Sequence, residues 1–307
     1  MHIYLPIAEL AVNGYWLLLL GGITGLFAGM FGIGGGFILT PMLIFMGVTP
    51  AVAVATSTNM MVASSFSGFL THWKRKRVDI EIGGCLIIGG IAGVLIGVDA
   101  FSRLQRVGQV DLMITLLYAS LLLAVGILTA REARSMLRAR RAGATSHTLH
   151  GFAMPQWISR WPLQRNFGRS EVSHSILLPI ALGVVSGLLV GFLGVGGGFI
   201  TIPMMIYMLR MPLTVTVGTS LFQIIFITAL ATILHGIHTQ ALDIVLASLL
   251  LTGSAVGAQY GVRLAAKMPT YLLRAIMSAL MLLIAARLAY GLFITPDDIF
   301  TLTVTPL

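Results

Sequence analysis

The sequence has little charge and only one cysteine. Only 9% of its 307 residues are Asp, Glu, Lys or Arg, whereas an ordinary soluble domain carries roughly a quarter. This shortage excludes a soluble globular protein and indicates a chain that lies in a lipid bilayer. The single cysteine, Cys85, stands in an apolar stretch, which excludes both a disulfide framework and a thiolate metal site. We expect no metal and no cofactor.

The net charge of +9 resembles that of a nucleic-acid-binding protein. The cations, however, lie between apolar runs, where they set the orientation of a membrane protein. We therefore expect membrane lipids as partners and no nucleic acid. No basic stretch precedes the apolar residues that start at Tyr15, so we do not expect a cleavable signal peptide.

Apolar runs account for most of the chain, and most have the length of about 20 residues that a spanning helix needs. They cover 15–47, 50–72, 82–101, 110–130, 176–209, 212–234, 242–262 and 272–294. We predict a multi-pass protein of a bacterial-type cell (inner) membrane.

The sequence repeats itself after 162 residues. GLFAGMFGIGGGFILTPML at 25–43 returns as GLLVGFLGVGGGFITIPMM at 187–205, so that Gly34–Gly36 superpose on Gly196–Gly198. Two copies of one broken hydrophobic unit are typical of transporters built from internal repeats, with the binding site where the breaks face each other.

The two glycine-rich runs, 15–47 and 176–209, are too long for one crossing. Thirty-three helical residues would span about 50 Å, against a hydrocarbon thickness of ~30 Å. We predict a helical hairpin in each run that turns at the glycines and returns by a short arm. Each repeat then has about five transmembrane or re-entrant helices, and the two repeats are inverted.

Inversion is the arrangement that best fits the positive-inside rule. It puts Lys74–Arg77, the arginines of 131–174 and the later Arg263 inside, and only Arg103 and Arg106 outside. The predicted fold class is an all-α membrane protein with two inverted repeats and glycine-rich broken helices at mid-membrane. Its predicted domains are an N-terminal repeat at 1–130, a basic cytoplasmic linker at 131–174 and a C-terminal repeat at 175–307.

Polar residues follow each glycine break at the depth where we expect the break to lie. In the first copy they are Thr56, Ser57 and Asn59, and in the second copy Thr219, Ser220 and Gln223. We expect each set to lie beside the break of its own copy. A helix that restarts at a break offers free N–H groups and the positive end of its dipole, which favours an anion. No Lys or Arg lies near either break, so we predict a small anion held by neutral donors.

The paired segments G-x-x-x-G-x-x-G-[IV]-G-G-G-F-x-x-x-P, each followed by [AG]-T-S, resemble the TauE/SafE family of membrane anion permeases. The resemblance implies a transporter of sulfite or of an organosulfonate such as sulfoacetate. Since the family is described as exporters, it implies export. It implies alternating access around the two opposed breaks and no enzymatic activity. The site residues it implies are Gly34, Gly35, Gly36, Thr56, Ser57, Gly196, Gly197, Gly198, Thr219 and Ser220.

Two other classes remain as alternatives, a non-transporting membrane scaffold and an intramembrane enzyme. An enzyme needs a base beside its nucleophile, and the Thr-Ser pairs have no His or carboxylate at matching depth. A scaffold needs no broken helices. A homo-oligomer is compatible with the sequence.

Several residues have two interpretations. His72 and His235 match after 163 residues; solvation at the membrane interface is favoured, and gating or a proton relay is the alternative. Arg287 lies within the last span, where it either snorkels outward or takes part in gating. Asp79 and Asp243 are expected to cap helices, and the Gly-x-x-x-Gly pairs to pack helices closely.

Overall fold

The structure is a computed structural model that describes residues 2–5, 10–108, 110–141, 164–167, 172–238 and 243–293. Its described part contains ten helices, which confirms the all-α membrane fold. They are α1 (Gly14–Phe31), α2 (Gly36–Phe45), α3 (Pro50–Lys74), α4 (Ile80–Arg106), α5 (Val110–Arg141), α6 (Leu177–Leu193), α7 (Gly198–Tyr207), α8 (Leu213–His238), α9 (Ile244–Ala265) and α10 (Thr270–Phe293).

Six of these helices, α1, α4, α5, α8, α9 and α10, are long and apolar enough to cross a membrane. The helices α2, α6 and α7 are apolar but shorter. Two antiparallel strand pairs stand outside the helices, β1 (His2–Leu5) with β2 (Leu10–Asn13) and β3 (Gln164–Phe167) with β4 (Val172–Ser175). Helix α5 continues to Arg141 and so includes 131–141 of the predicted linker.

Each glycine-rich run forms a hairpin, as the sequence predicted. After α1 the chain turns back, so that a Cβ on Gly35 would lie 2.9 Å from the carbonyl oxygen of Thr24, about two turns before the end of α1. After α6 a Cβ on Gly197 would lie 2.4 Å from the Cβ of Ser186. Helices α2 and α7 are therefore short return arms beside α1 and α6.

Helix α3 packs antiparallel against α8, its counterpart in the sequence repeat. Along α3 and α8, Thr58 meets Thr232 at 3.4 Å, whereas Gly68, further along α3, meets Leu221, which is earlier in α8. Helices α5 and α10 are antiparallel in the same way. Two long helices of one half thus lie against their counterparts in the other half with reversed chain direction.

Close glycine contacts join the remaining helices across the two halves. Helix α1 lies on α9, where a Cβ on Gly29 would be 2.1 Å from the Ala258 carbonyl oxygen. Helix α4 lies on α6, where a Cβ on Gly93 would be 2.1 Å from the Val184 carbonyl oxygen. Any side chain at these positions would separate the helices, so the predicted packing role of the Gly-x-x-x-Gly pairs is confirmed.

The helix starts follow from local sequence. Asp79 and Asp243 accept hydrogen bonds from the second and third N–H groups of α4 and α9, at 3.1 Å each. The capping role predicted for both is confirmed. Pro50 occupies the first turn of α3, where a proline costs no hydrogen bond.

Candidate anion site at the glycine breaks

The two breaks meet each other in the centre of the bundle. A Cβ on Gly36 would lie 2.3 Å from the Gly194 carbonyl oxygen, and a Cβ on Gly196 would lie 2.5 Å from that of Ile33. The Met61 sulfur, near the middle of α3, lies 2.7 Å from both of these positions. The breaks therefore touch at half the length of the central helices.

Glycine is needed here for backbone conformation as well as for space. Gly34, Gly35 and Gly196 have φ of 87°, 84° and 75°, in the left-handed region that L side chains avoid. Gly197 has φ of −51°, so the two copies turn by different backbone routes. At Gly197 the close approach of Ser186, rather than backbone strain, excludes a side chain.

The matching serines of the two copies make crossed hydrogen bonds. Ser57 Oγ lies 3.4 Å from the Gly194 carbonyl oxygen and 2.7 Å from Thr40 Oγ1. Ser220 Oγ lies 3.1 Å from the Gly32 carbonyl oxygen. We expected each serine to lie beside the break of its own copy, but each contacts the helix end that precedes the other break. The hydroxyls thus satisfy carbonyls that a broken helix leaves without donors.

Three polar atoms near the breaks are buried without a hydrogen-bond partner in the described part of the chain. They are Thr56 Oγ1, Ser65 Oγ and Gln223 Oε1. Ser65 Oγ lies 3.4 Å from the position of a Cβ on Gly34. Buried polar groups are nearly always paired, so these atoms are candidates for contact with a ligand or water.

The other predicted site residues have different surroundings. Thr219 Oγ1 accepts a hydrogen bond of 3.0 Å from the Asp79 N–H, which joins α8 to the start of α4. The Gln223 amide nitrogen contacts Ser186 Oγ in α6. Asn59 is half-buried on α3.

Sequence reasoning missed two groups that hold the first break. The Tyr118 hydroxyl donates to the Gly36 carbonyl oxygen at 2.9 Å, and the Ser64 hydroxyl to that of Gly34 at 2.9 Å. The serine pair 64–65 in a spanning helix was a signal that could have been used. Tyr118 gave no comparable signal, because it is one aromatic residue in the apolar helix α5.

A cavity of about 170 Å³ leads from one end of the bundle to the breaks. Ile33 and Phe199 line it at the breaks, and Pro203 of the return arm α7 lines it along the way. At the helix ends its lining is basic and includes His72, Arg75, Arg77, Glu132, Thr214, Thr270 and Arg274. We call this the basic end of the bundle.

The opposite end of the bundle is closed at the matching position. His235 Nε2 lies 2.9 Å from the Gly191 carbonyl oxygen, and its ring packs edge-on against Phe101 with centroids 4.9 Å apart. His235 is fully buried, so the expectation of a solvated, interfacial His235 is wrong. Its counterpart His72 lines the cavity together with Gly29, the counterpart of Gly191.

Arg287 lies away from the cavity lining. It is exposed on α10, and its guanidinium carbon lies 5.2 Å from the centre of the Phe45 ring, at the end of the return arm α2. This placement agrees with the outward-pointing interpretation of Arg287.

One charged cluster borders the cavity. Glu132 of α5 forms an ion pair with Arg274 of α10 and accepts a hydrogen bond from the Tyr207 hydroxyl at the end of α7. Arg274 also donates to Tyr207 Oη at 3.2 Å. Sequence reasoning counted Glu132 as part of the linker and gave it no role.

Apolar helices in two matching halves, with paired breaks at the centre and a cavity that leads to them, define a multi-pass membrane transporter. The profile of the family described as Sulfite exporter TauE/SafE matches residues 17–288. The chain belongs to the TauE/SafE family.

Curated relatives agree with this assignment. The chain is 27% identical over 275 residues to the probable membrane transporter protein YjnA of Bacillus subtilis, covering 89% of this chain and 98% of the relative. It is 28% identical to YunE of the same organism, covering 90% and 98%. A shorter stretch of 100 residues is 33% identical to the Sulfite exporter TauE/SafE family protein 3 of Arabidopsis thaliana, covering 32% of this chain and 21% of that protein. No solved structure matches the chain.

Proposed function

We propose that this protein exports a small anion, sulfite or an organosulfonate such as sulfoacetate, by alternating access around the two glycine breaks. The observation that carries the proposal is the cavity that runs from the arginines of the basic end to Ile33 and Phe199 at the breaks. The family description as sulfite exporters supports the class of cargo. The buried His235 at the other end supports a state that is open on one side only.

The anion binds between the helix starts that follow the breaks. Each start has about half a positive charge from its dipole, and the first N–H groups of a helix have no acceptor within it. The buried hydroxyls of Thr56 and Ser65 add neutral donors. The breaks are in direct contact, so they separate when the anion binds. Such a site favours a compact oxyanion and binds it with modest affinity.

The two histidines alternate in this mechanism. In the state described here His235 closes on the Gly191 carbonyl oxygen, while His72 and Gly29 both line the cavity. In the opposite state His72 closes on the Gly29 carbonyl oxygen, and His235 leaves Gly191. The two pairs have nearly the same spacing in the sequence, 43 residues from Gly29 to His72 and 44 from Gly191 to His235, which supports this exchange.

We also propose that the repeats are inverted in a bacterial inner membrane, with the basic end and the linker 131–174 in the cytoplasm. The antiparallel course of α3 and α8 supports inversion. The positive-inside rule supports the orientation, since Arg75, Arg77 and Arg274 line the basic end and Arg103 lies at the other end of α4.

Cysteine labelling tests the orientation. In a variant with Cys85 replaced, single cysteines are placed at Arg103, which is exposed at the end of α4, and at Ser135, which is exposed near the end of α5. An impermeant thiol reagent applied to intact cells should label position 103 and not position 135. Labelling of position 135 from outside would reject the proposed orientation, with or without labelling of position 103.

Counterflow in liposomes tests the function. Purified protein is reconstituted and loaded with labelled sulfite, and then exposed to outside sulfite, sulfoacetate, sulfate, thiosulfate or choline. We expect exchange with sulfite or sulfoacetate and none with choline. The absence of exchange with every anion would favour the scaffold alternative, and exchange with choline would reject the anion site.

A further inference from the structure

The cluster of Glu132, Tyr207 and Arg274 lies at the basic end, at the far end of α7 from the glycine breaks. Its members come from three helices. The two carboxylate oxygens of Glu132 have different partners, since Tyr207 donates to Oε1 and Arg274 donates to Oε2. The two donors are themselves 3.2 Å apart. They form a ready-made pair of donors for two oxygens of one anion.

We propose that Arg274 and Tyr207 form a first binding site for an oxyanion at the basic end, and that Glu132 is a built-in competitor which the oxyanion displaces. This inference rests on the proposed function, because it gives the cargo a second place to bind on its route to the breaks. It assigns a role to three residues that lie outside the glycine site.

The chemistry of the donors selects for oxyanions. A guanidinium matches groups with two or more oxygens, such as carboxylates, sulfonates and phosphates, and binds them through directed hydrogen bonds. A sulfonate or sulfite can therefore take the place of the Glu132 carboxylate with the same donors. The hydroxyl of Tyr207 adds a donor that a cation could not use.

Burial explains why a competitor is needed. The Arg274 side chain is only 14% exposed and borders an apolar cavity. A buried cation without a counter-charge is strongly unfavourable, so an empty site requires an anion from the protein itself. Glu132 supplies it, and since its side chain is 25% exposed, it can turn toward water when the cargo arrives.

The wider charge of the cavity favours the exchange. Arg75 and Arg77 also line the basic end, and among the lining residues that the structure describes Glu132 is the only carboxylate. The cavity therefore keeps an excess of positive charge while Glu132 is bound to Arg274. An arriving anion is attracted by these two arginines as well. Its negative charge repels the Glu132 carboxylate, which helps to displace that carboxylate from Arg274.

The position of the cluster connects it to the breaks. Tyr207 ends α7, whose first residue Gly198 lies against the first break, with a would-be Cβ 2.9 Å from the Ile33 Cα. Ten helical residues span about 15 Å. Ile202, Pro203 and Ile206 of α7 line the cavity between the two places, so the return arm borders the route of the anion along its length.

The test compares two substitutions whose effects should have opposite signs. Glu132→Gln removes the competing charge, so sulfite or sulfoacetate should bind about tenfold more tightly. Arg274→Gln removes the main donor, so binding should weaken by about ten- to a hundredfold. Calorimetric titration of the purified full-length protein with each anion gives the dissociation constants. If the ion pair only held α5 to α10, both substitutions would change the dissociation constant in the same direction.

Further variants keep the test decisive. Arg274→Lys keeps the positive charge but lacks the planar guanidinium with its paired donors, so it should also weaken binding. It replaces Arg274→Gln in the test if that variant fails to fold. Asp99→Asn breaks the exposed ion pair between Asp99 and Arg103, 2.9 Å apart on α4, and should leave binding unchanged. If the wild-type protein binds neither anion, the proposed function fails. If it binds and the Glu132 and Arg274 variants do not shift in opposite directions, the Arg274 site is rejected and the function stands.

Discussion

The two ends of the bundle are built from matching sequence but differ in structure. At one end His235 is buried against the Gly191 carbonyl oxygen and the Phe101 ring. At the other end the matching His72 and Gly29 both line an open cavity. The same pair of residue types is thus hydrogen-bonded in one half, whereas in the other half both residues line a cavity.

The ends of the return arms differ as well. Tyr207, at the end of α7, belongs to the charged cluster with Glu132 and Arg274. Phe45, which is 162 residues earlier at the end of α2, lies under the exposed Arg287. In the centre, by contrast, the crossed bonds of Ser57 and Ser220 are alike. The halves therefore share the crossed serine bonds at the centre and differ at the ends.

This distribution has a physical reason. A single central site must meet the same cargo from both sides, so both copies keep a serine bonded to the opposite break. The ends meet different solutions, and in any one state only one of them can be open. Under the proposed alternating mechanism, the contact of His235 with Gly191 therefore indicates how His72 and Gly29 are arranged when their end closes.

The largest effect should come from the shared centre. Gly35→Val and Gly197→Val should each abolish transport, for different reasons. At Gly35 a side chain is strained by the positive φ of 84° and would meet the Thr24 carbonyl oxygen, whereas at Gly197 it would meet Ser186. Counterflow in liposomes measures the loss, and the amount of protein in the membrane is measured alongside.

Gly84 and Gly236 provide matched controls. Both are helical glycines, and a Cβ on either would meet nothing within 4 Å. Valine at these positions should retain most of the transport. Normal transport by Gly35→Val and Gly197→Val would mean that the breaks are only structural kinks.

The next largest effect should separate the two ends. His235→Ala removes a buried hydrogen bond and a ring contact, and we expect it to lower the free energy of unfolding by about 2–4 kcal/mol. His72→Ala removes a side chain that borders a cavity and should cost about 1 kcal/mol or less. Thermal or denaturant unfolding in detergent compares the two variants.

The same pair of variants should change accessibility at the closed end. Val98 is 2% exposed in a cluster with Val190 and Ala231 at that end. A cysteine at position 98, in a variant without Cys85, should react with a thiol reagent faster in His235→Ala than in His72→Ala. Equal reactivity would show that His235 does not hold this end closed.

Much of the fold could be predicted from the sequence because its signals are local or periodic. The apolar runs gave the helices, and the lengths of 15–47 and 176–209 gave the two hairpins. The carboxylates of Asp79 and Asp243 marked helix starts. Such features depend on chain length, helix geometry and caps, which neighbouring residues decide.

The contacts of the site could be predicted only in part, because they join residues that are distant in sequence. The hydroxyl of Ser57 was expected near the centre, but its bond to Gly194 depends on how two halves interlock. The bond of the Tyr118 hydroxyl to the Gly36 carbonyl oxygen likewise depends on how distant helices pack together. The burial of His235 follows from Phe101 in another helix, and no pattern within α8 indicates it.

The smallest effects should come from the crossed serine bonds of the two halves. Ser57→Ala and Ser220→Ala each remove a hydroxyl from a buried carbonyl of the opposite copy. Each should lower the free energy of unfolding by about 1 kcal/mol, the usual net contribution of one hydrogen bond.

Two exposed helical serines serve as controls for this last comparison. Ser120 and Ser248 bond only the preceding turn of their own helices, at 3.0 and 2.9 Å, so alanine there should change stability by less than about 0.5 kcal/mol. A loss in Ser57→Ala that is several times larger than in Ser220→Ala would mean that the two halves already differ at the centre. The asymmetry would then arise in the sequence itself, and the closed His235 end would no longer indicate how the His72 end closes.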